Sequence, residues 1–155
     1  MKIMKKNGGF SLFELLIVLA VIAVVSAIVT PNIISWRNNA KLRGAAGNLK
    51  NDMEMAKVKA IKVNNHVAIK FMGNRYEIFI DKSDDGIRDV DEPILKTRTL
   101  PAGVAFDLNQ TTFSSDVAIF NGRGTARKGT AILTNTNGDE KHIKVETLGR
   151  IWFKK

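Results

Sequence analysis

The sequence predicts an α+β protein in which one long N-terminal helix packs on a β-sheet head. Three observations predict it. An almost unbroken apolar block fills residues 10–30. Apolar residues then recur every three or four positions from Leu42 to Val63, which is the period of an amphipathic helix. From Val67 onward alternation takes over, and that is the two-residue period of strands burying one face. The chain's 155 residues suffice for one such head with a modest core.

The apolar block reads FSLFELLIVLAVIAVVSAIVT and carries one charge, Glu14. About twenty apolar residues cross a bilayer as a helix. Lys2, Lys5 and Lys6 precede the block, and positive charge keeps that end cytoplasmic. The rest of the chain is then expected outside the cytoplasmic membrane. A secretory signal has a shorter apolar core with its small-residue cleavage site after it, whereas here Gly8-Gly9 comes before the block. A plain anchor accounts for the length but not for Glu14, because a carboxylate in a membrane helix is costly without a partner. Cleavage after Gly9 explains both features. It frees an amine on Phe10 one helical turn from Glu14. In an assembly, Glu14 can pair instead with the Phe10 amine of a neighbouring subunit.

The run Lys5-Lys6-Asn7-Gly8-Gly9, followed by Phe10-Ser11-Leu12-Phe13-Glu14-Leu15-Leu16, resembles the class III signal of type IV pilins and pseudopilins. The resemblance implies that a prepilin peptidase cuts between Gly9 and Phe10 and methylates Phe10. It makes Glu14 the assembly glutamate and matches Pro31 to a helix-kinking proline. It also implies other pilin or pseudopilin subunits and the bacterial inner membrane as partners. The expected organisation is a leader at 1–9, a transmembrane and fibre-core helix at 10–30, its amphipathic continuation at 31–64 and a β-rich head at 65–155.

Beyond Pro31, Leu42, Ala45, Leu49, Met53, Ala56, Ala60 and Val63 form one apolar stripe, with Arg37, Lys41, Arg43, Lys50, Lys57, Lys59 and Lys62 on the other faces. Pro31 costs one helical hydrogen bond and is expected to kink the rod. Strands are expected at 67–71, 76–80, 94–100, 104–108, 117–120, 130–134, 142–147 and 151–153. Gly73-Asn74, Asn137-Gly138 and Gly149-Arg150 supply turns between neighbours. Each strand is expected to bury one face, covered by the helix stripe. Phe120-Asn121-Gly122-Arg123-Gly124 and the ending Gly149-Arg150-Ile151 are similar to segments of GspH and FimT-type minor pilins, which implies a mostly antiparallel, pilin-like head. Two roles follow from that likeness. One is a minor subunit of a type II secretion pseudopilus. The other is a minor pilin of a type IV pilus with a role in DNA uptake.

Two head segments carry candidate ligand chemistry. Residues 81–92 read DKSDDGIRDVDE and fit a twelve-residue calcium loop. Asp81, Ser83 and Asp85 take positions one, three and five, Gly86 the turn position, Ile87 a carbonyl at seven, Asp89 position nine and Glu92 the bidentate twelfth. The competing reading is an acidic solvated turn between strands, since a strand precedes it and Pro93 follows it. The C-terminal region is basic and holds Arg123, Arg127, Lys128, Arg150, Lys154 and Lys155 with Trp152 nearby. Cations beside an aromatic ring can hold DNA through phosphate contacts and stacking, in competition with a solvated strand face that buries Trp152. The formal charge of +9 agrees with either. With no cysteine and two histidines far apart, His66 and His142, thiolate chemistry is excluded and no zinc spacing exists. No nucleophile triad, phosphate loop or dinucleotide fingerprint is present, so a non-enzymatic role is expected.

Overall fold

The computed structural model describes residues 10–154. The leader with Gly9, and Lys155, lie outside the described residues, as do the side chains of residues 28–31, Pro31 among them. Helix α1 runs Leu12–Val63 and continues through position 31. It ends where Asn64 turns to positive φ, a conformation that asparagine tolerates at a helix C-terminus. The chain divides into two compact units, Met1–Trp36 and Arg37–Lys155.

In the first unit, every side chain described from Phe10 to Trp36 is exposed, and nearly all are apolar up to Ala27. This stretch is helical, long and apolar enough to cross a membrane.

In the second unit, the end of α1 is followed by β1 (His66–Met72), β2 (Arg75–Asp81), β3 (Ile94–Thr99), β4 (Val104–Phe106), β5 (Val117–Phe120), β6 (Gly129–Asn135), β7 (Glu140–Val145) and β8 (Ile151–Lys154). They form two four-stranded sheets, ordered β3-β2-β1-β5 and β4-β6-β7-β8. Every pairing is antiparallel. The helix stripe is buried at Leu42, Ala45, Ala46, Leu49, Met53, Ala56 and Ala60. It shares one core with Val67, Ile69, Phe71, Tyr76 and Ile78 of the first sheet and Leu133, Ile143 and Val145 of the second. Val63 is only half-buried because the helix ends there.

The first sheet differs from the one-face expectation. All four residues of β5 are buried, and Ala68, Phe79, Val117 and Ile119 form a second cluster. The loop 81–92 covers this side: a Cβ on Gly86 would sit 3.3 Å from Val117 Cγ1 and 3.4 Å from Ile119 Cδ1. Gly86 also has φ of +76°, so glycine meets both the close approach and the backbone conformation.

Candidate assembly motif and head surfaces

The N-terminus of α1 is built by a reciprocal cap. The Glu14 N–H donates to Ser11 Oγ at 3.2 Å, and the Ser11 N–H points to Glu14 Oε2 at 3.5 Å. Ser11-Leu12-Phe13-Glu14 is thus a capping box, which satisfies helix-end donors that have no partner in the preceding turn. The S-x-x-E spacing was available in the sequence as a helix-start signal. The cap holds Glu14 one turn from Phe10. Among the described residues no cation pairs with the Glu14 carboxylate.

In the acidic loop, Asp81 and Glu92 are buried and spend their carboxylates on the loop itself. Asp81 Oδ2 accepts the Gly86 N–H at 3.0 Å, and its Oδ1 accepts the Ser83 hydroxyl at 3.3 Å. Glu92 Oε1 accepts the Lys82 N–H at 2.5 Å, and Oε2 accepts the Asp89 N–H at 2.9 Å. Asp85 Oδ1 accepts the Ile87 N–H at 2.7 Å. At the surface Lys82 meets Asp91 at 2.9 Å. This hydrogen bond raises the lysine pKa and lowers that of the aspartate. Among the described residues no three acidic or histidine side chains converge as a metal-binding group. As placed, the template residues close a self-bonded turn.

The basic candidates divide between the two ends of the second sheet. β6 begins at Gly129 opposite Val145, and β8 begins at Ile151 opposite the same residue. Lys128 and Arg150, each one residue before those starts, therefore share an end. Arg123 lies beside them, because Gly124 packs against Gly149. Lys154 pairs with His142, three residues further along β7 and about 10 Å away. Arg127 is held by the loop: its Nη2 donates to Asp84 O at 2.6 Å and Asp84 Oδ1 at 2.9 Å. Trp152 is half-buried under the Lys144 ammonium, 5.3 Å from the ring centroid. Its indole N–H is buried and has no hydrogen-bond partner among the described residues.

One polar cluster was not anticipated. Asp52 lies on the buried helix stripe and is itself buried. Its Oδ2 accepts the Tyr76 hydroxyl at 2.7 Å and Arg98 Nε at 2.9 Å, and its Oδ1 accepts Lys96 Nζ at 2.7 Å. Burial pushes its pKa up, but the hydrogen bonds from Lys96, Tyr76 and Arg98 together outweigh it and leave the pKa lowered. Burial and the Asp52 carboxylate push the Tyr76 phenol well above its ordinary range. The signal was present: Asp52 falls three residues after Leu49 and four before Ala56, inside an apolar stripe where a charge needs a partner.

A capped apolar helix of membrane-spanning length, leading into an antiparallel head, defines the class of pilin-like subunits. Residues 4–30 match the model of the prokaryotic N-terminal methylation motif. Residues 45–149 match the model of the type II transport protein GspH. The chain belongs to the GspH family, whose members are structural pseudopilin subunits of type II secretion. Among solved structures, it is similar to the type IV minor pilin FimU of Pseudomonas aeruginosa, with a TM-score of 0.60 at 16% identity, covering 77% of this chain and 92% of that one. It is also similar to the minor pseudopilin EpsH of the Vibrio cholerae type 2 secretion system, with a TM-score of 0.57 at 11% identity, covering 74% and 96%. These likenesses show the fold. No curated protein sequence matches the chain.

Proposed function

We propose that this subunit is inserted in the bacterial inner membrane by its N-terminal helix, cut by a prepilin peptidase between Gly9 and Phe10, methylated on Phe10, and assembled into a secretion pseudopilus. One observation carries the reading: the Ser11 cap holds Glu14 in the first turn of an exposed apolar helix with no cationic partner among the described residues. A buried carboxylate in the fibre core needs a cation, and the Phe10 amine of the next subunit supplies one. The pairing sets the register of otherwise uniform apolar helices. The head stays outside the membrane.

The test is the mass and first residue of the protein extracted from membranes of its native host. A chain beginning at Phe10, heavier by one methyl group, is expected. A chain beginning at Met1 overturns the proposal. Glu14→Ala is expected to insert normally and fail to enter the fibre, and normal incorporation would refute the pairing.

A second reading, a pilus subunit that holds DNA, is favoured by the gathering of Arg123, Lys128 and Arg150 at one end of the second sheet. On this reading Lys128→Ala with Arg150→Ala removes binding to duplex DNA, and Lys154→Ala leaves it. Binding that persists at high salt contradicts the phosphate-contact mechanism.

A further inference from the structure

β8 is an edge of the second sheet, and the hydrogen-bonding phase of that sheet fixes which of its backbone groups face outward. The β6–β7 hairpin closes with the Asn135 N–H on Asp139 O, and antiparallel hydrogen-bonded pairs recur at every second residue. Lys141, Ile143 and Val145 therefore bond to β6, which leaves His142 and Lys144 to bond Lys154 and Trp152 of β8. The β7–β8 hairpin has the same phase, since the Glu146 N–H donates to Arg150 O. The N–H and C=O groups of Ile151 and Phe153 thus point away from β7. None of them has a hydrogen-bond partner among the described residues. Such a row of unpaired groups is a template for another strand.

The other sheet edges differ. β5 gives Ile119 O to the Arg127 N–H, and the Phe106 N–H of β4 donates to Gly73 O. β3 is also an edge, but its cations Lys96 and Arg98 are spent on Asp52. Only beside β8 does the edge adjoin a groove with an aromatic floor, of about 350 Å³ and lined by Arg43, Ala46, Lys141, Phe153 and Lys154. Phe153 is 43% exposed, with the Lys50 ammonium 5.9 Å from its ring centroid. Arg43, Lys141 and Lys154 form no ion pair among the described residues. No carboxylate lines the groove, and Glu140, next to Lys141, is held by His142 at 2.8 Å.

Free backbone donors and acceptors, an uncovered ring and unanswered cations together fit an extended acidic segment that carries an aliphatic side chain. A second copy of the same edge does not fit, because it would set Lys141 and Lys154 against their own kind, which is how edge lysines prevent self-pairing. A nucleic acid would answer the cations and the ring but not the alternating N–H and C=O groups. We propose that β8 accepts an extended acidic segment of a different polypeptide as an added strand, bonded to Ile151 and Phe153. Its aliphatic side chain sits on Phe153 and its carboxylates lie among Arg43, Lys141 and Lys154. The contact rests on the fibre reading only in placing that segment on a neighbouring, non-identical subunit.

The probe is a short peptide of alternating glutamate and valine, blocked at both ends. It is added at millimolar concentration to the full chain in non-ionic detergent, and amide hydrogen exchange is followed residue by residue by NMR. Trp152, bonded to Lys144, is the protected reference and shows that each variant keeps its sheet. Exchange at Ile151 and Phe153 is expected to slow about tenfold with peptide. Methylating the peptide nitrogens, or replacing its glutamates with lysine, should abolish the effect. Arg43→Glu with Lys154→Glu should weaken it several-fold. Unchanged exchange overturns the strand pairing and leaves the fibre reading standing, since this measurement needs neither cleavage at Gly9 nor assembly. Equal protection by the methylated peptide or by oligothymidine also overturns the proposal. In the native host, Phe153→p-benzoylphenylalanine should photo-crosslink the chain to a different polypeptide through an acidic segment. A crosslinked product of two copies of this chain would refute it.

Discussion

Replacing Asp52 with alanine should destabilise the head by about 3 kcal/mol. The largest share comes from Tyr76, whose hydroxyl is wholly buried and bonded to Asp52. Left without an acceptor, it costs about 1–3 kcal/mol. Lys96 and Arg98 are 35% and 33% exposed, so water replaces the carboxylate for them and each lost pair is discounted to roughly 0.5 kcal/mol. Asp52→Asn keeps the volume and an acceptor for the phenol, so about 1 kcal/mol is expected. The assay is thermal unfolding of the full chain in detergent, followed by near-ultraviolet circular dichroism. Tyr76 is the only tyrosine and reports from inside the network. At roughly 4 °C per kcal/mol for a domain of this size, the alanine variant should melt about 12 °C lower. The pH dependence has a definite sign. The folded pKa of Asp52 lies below its unfolded value, near 3.9. Its contribution is therefore complete above that unfolded value and is lost as pH falls through the folded one. The gap between wild type and Asp52→Asn should narrow in acid. An alanine variant within about 0.5 kcal/mol of wild type, or a gap that widens in acid, would refute the reasoning.

Other outcomes follow from the head's geometry. Gly149 has φ of +73°, and a Cβ there would collide with the Gly124 carbonyl oxygen. Gly149→Ala should lower stability by more than the ~1–2 kcal/mol of the left-handed conformation alone. Gly138→Ala, with φ of +82° and open space, should cost only that amount, so equal melting losses would count against the packing argument. Millimolar calcium should leave the melting temperature unchanged, because Glu92 would have to release the Lys82 and Asp89 N–H groups to reach an ion. A rise of several degrees that Glu92→Gln abolishes would refute this expectation and establish calcium binding at the loop. Tyr76→Phe should cost about 1 kcal/mol in a melt followed by far-ultraviolet circular dichroism, since Asp52 keeps both cations; a loss as large as that of Asp52→Ala would refute this assignment.

Local periodicity made most of this fold legible. Every expected strand is present, although β3 has no fully buried residue and β5 is buried at every position, and the Leu42–Ala60 stripe is buried because it repeats at the helical period. The departures occur where a side chain turns to its own backbone. β4 stops at Phe106, short of Leu108, because Asp107 Oδ1 accepts the N–H groups of Asn109 and Gln110. The calcium template is a matter of spacing, and spacing does not show which way a carboxylate points; as placed, Asp81 and Glu92 accept backbone amides of the loop. Asp52 shows the opposite limit. Its partners Tyr76, Lys96 and Arg98 lie on two strands whose register places Tyr76 opposite Arg98 and Ile78 opposite Lys96. A buried charge on a helix stripe announces that a partner exists, but only the register of β2 and β3 says which residues answer it. Sites made within one turn, such as the Ser11–Glu14 cap, can be read from adjacent residues. Sites made across a sheet require the pairing first.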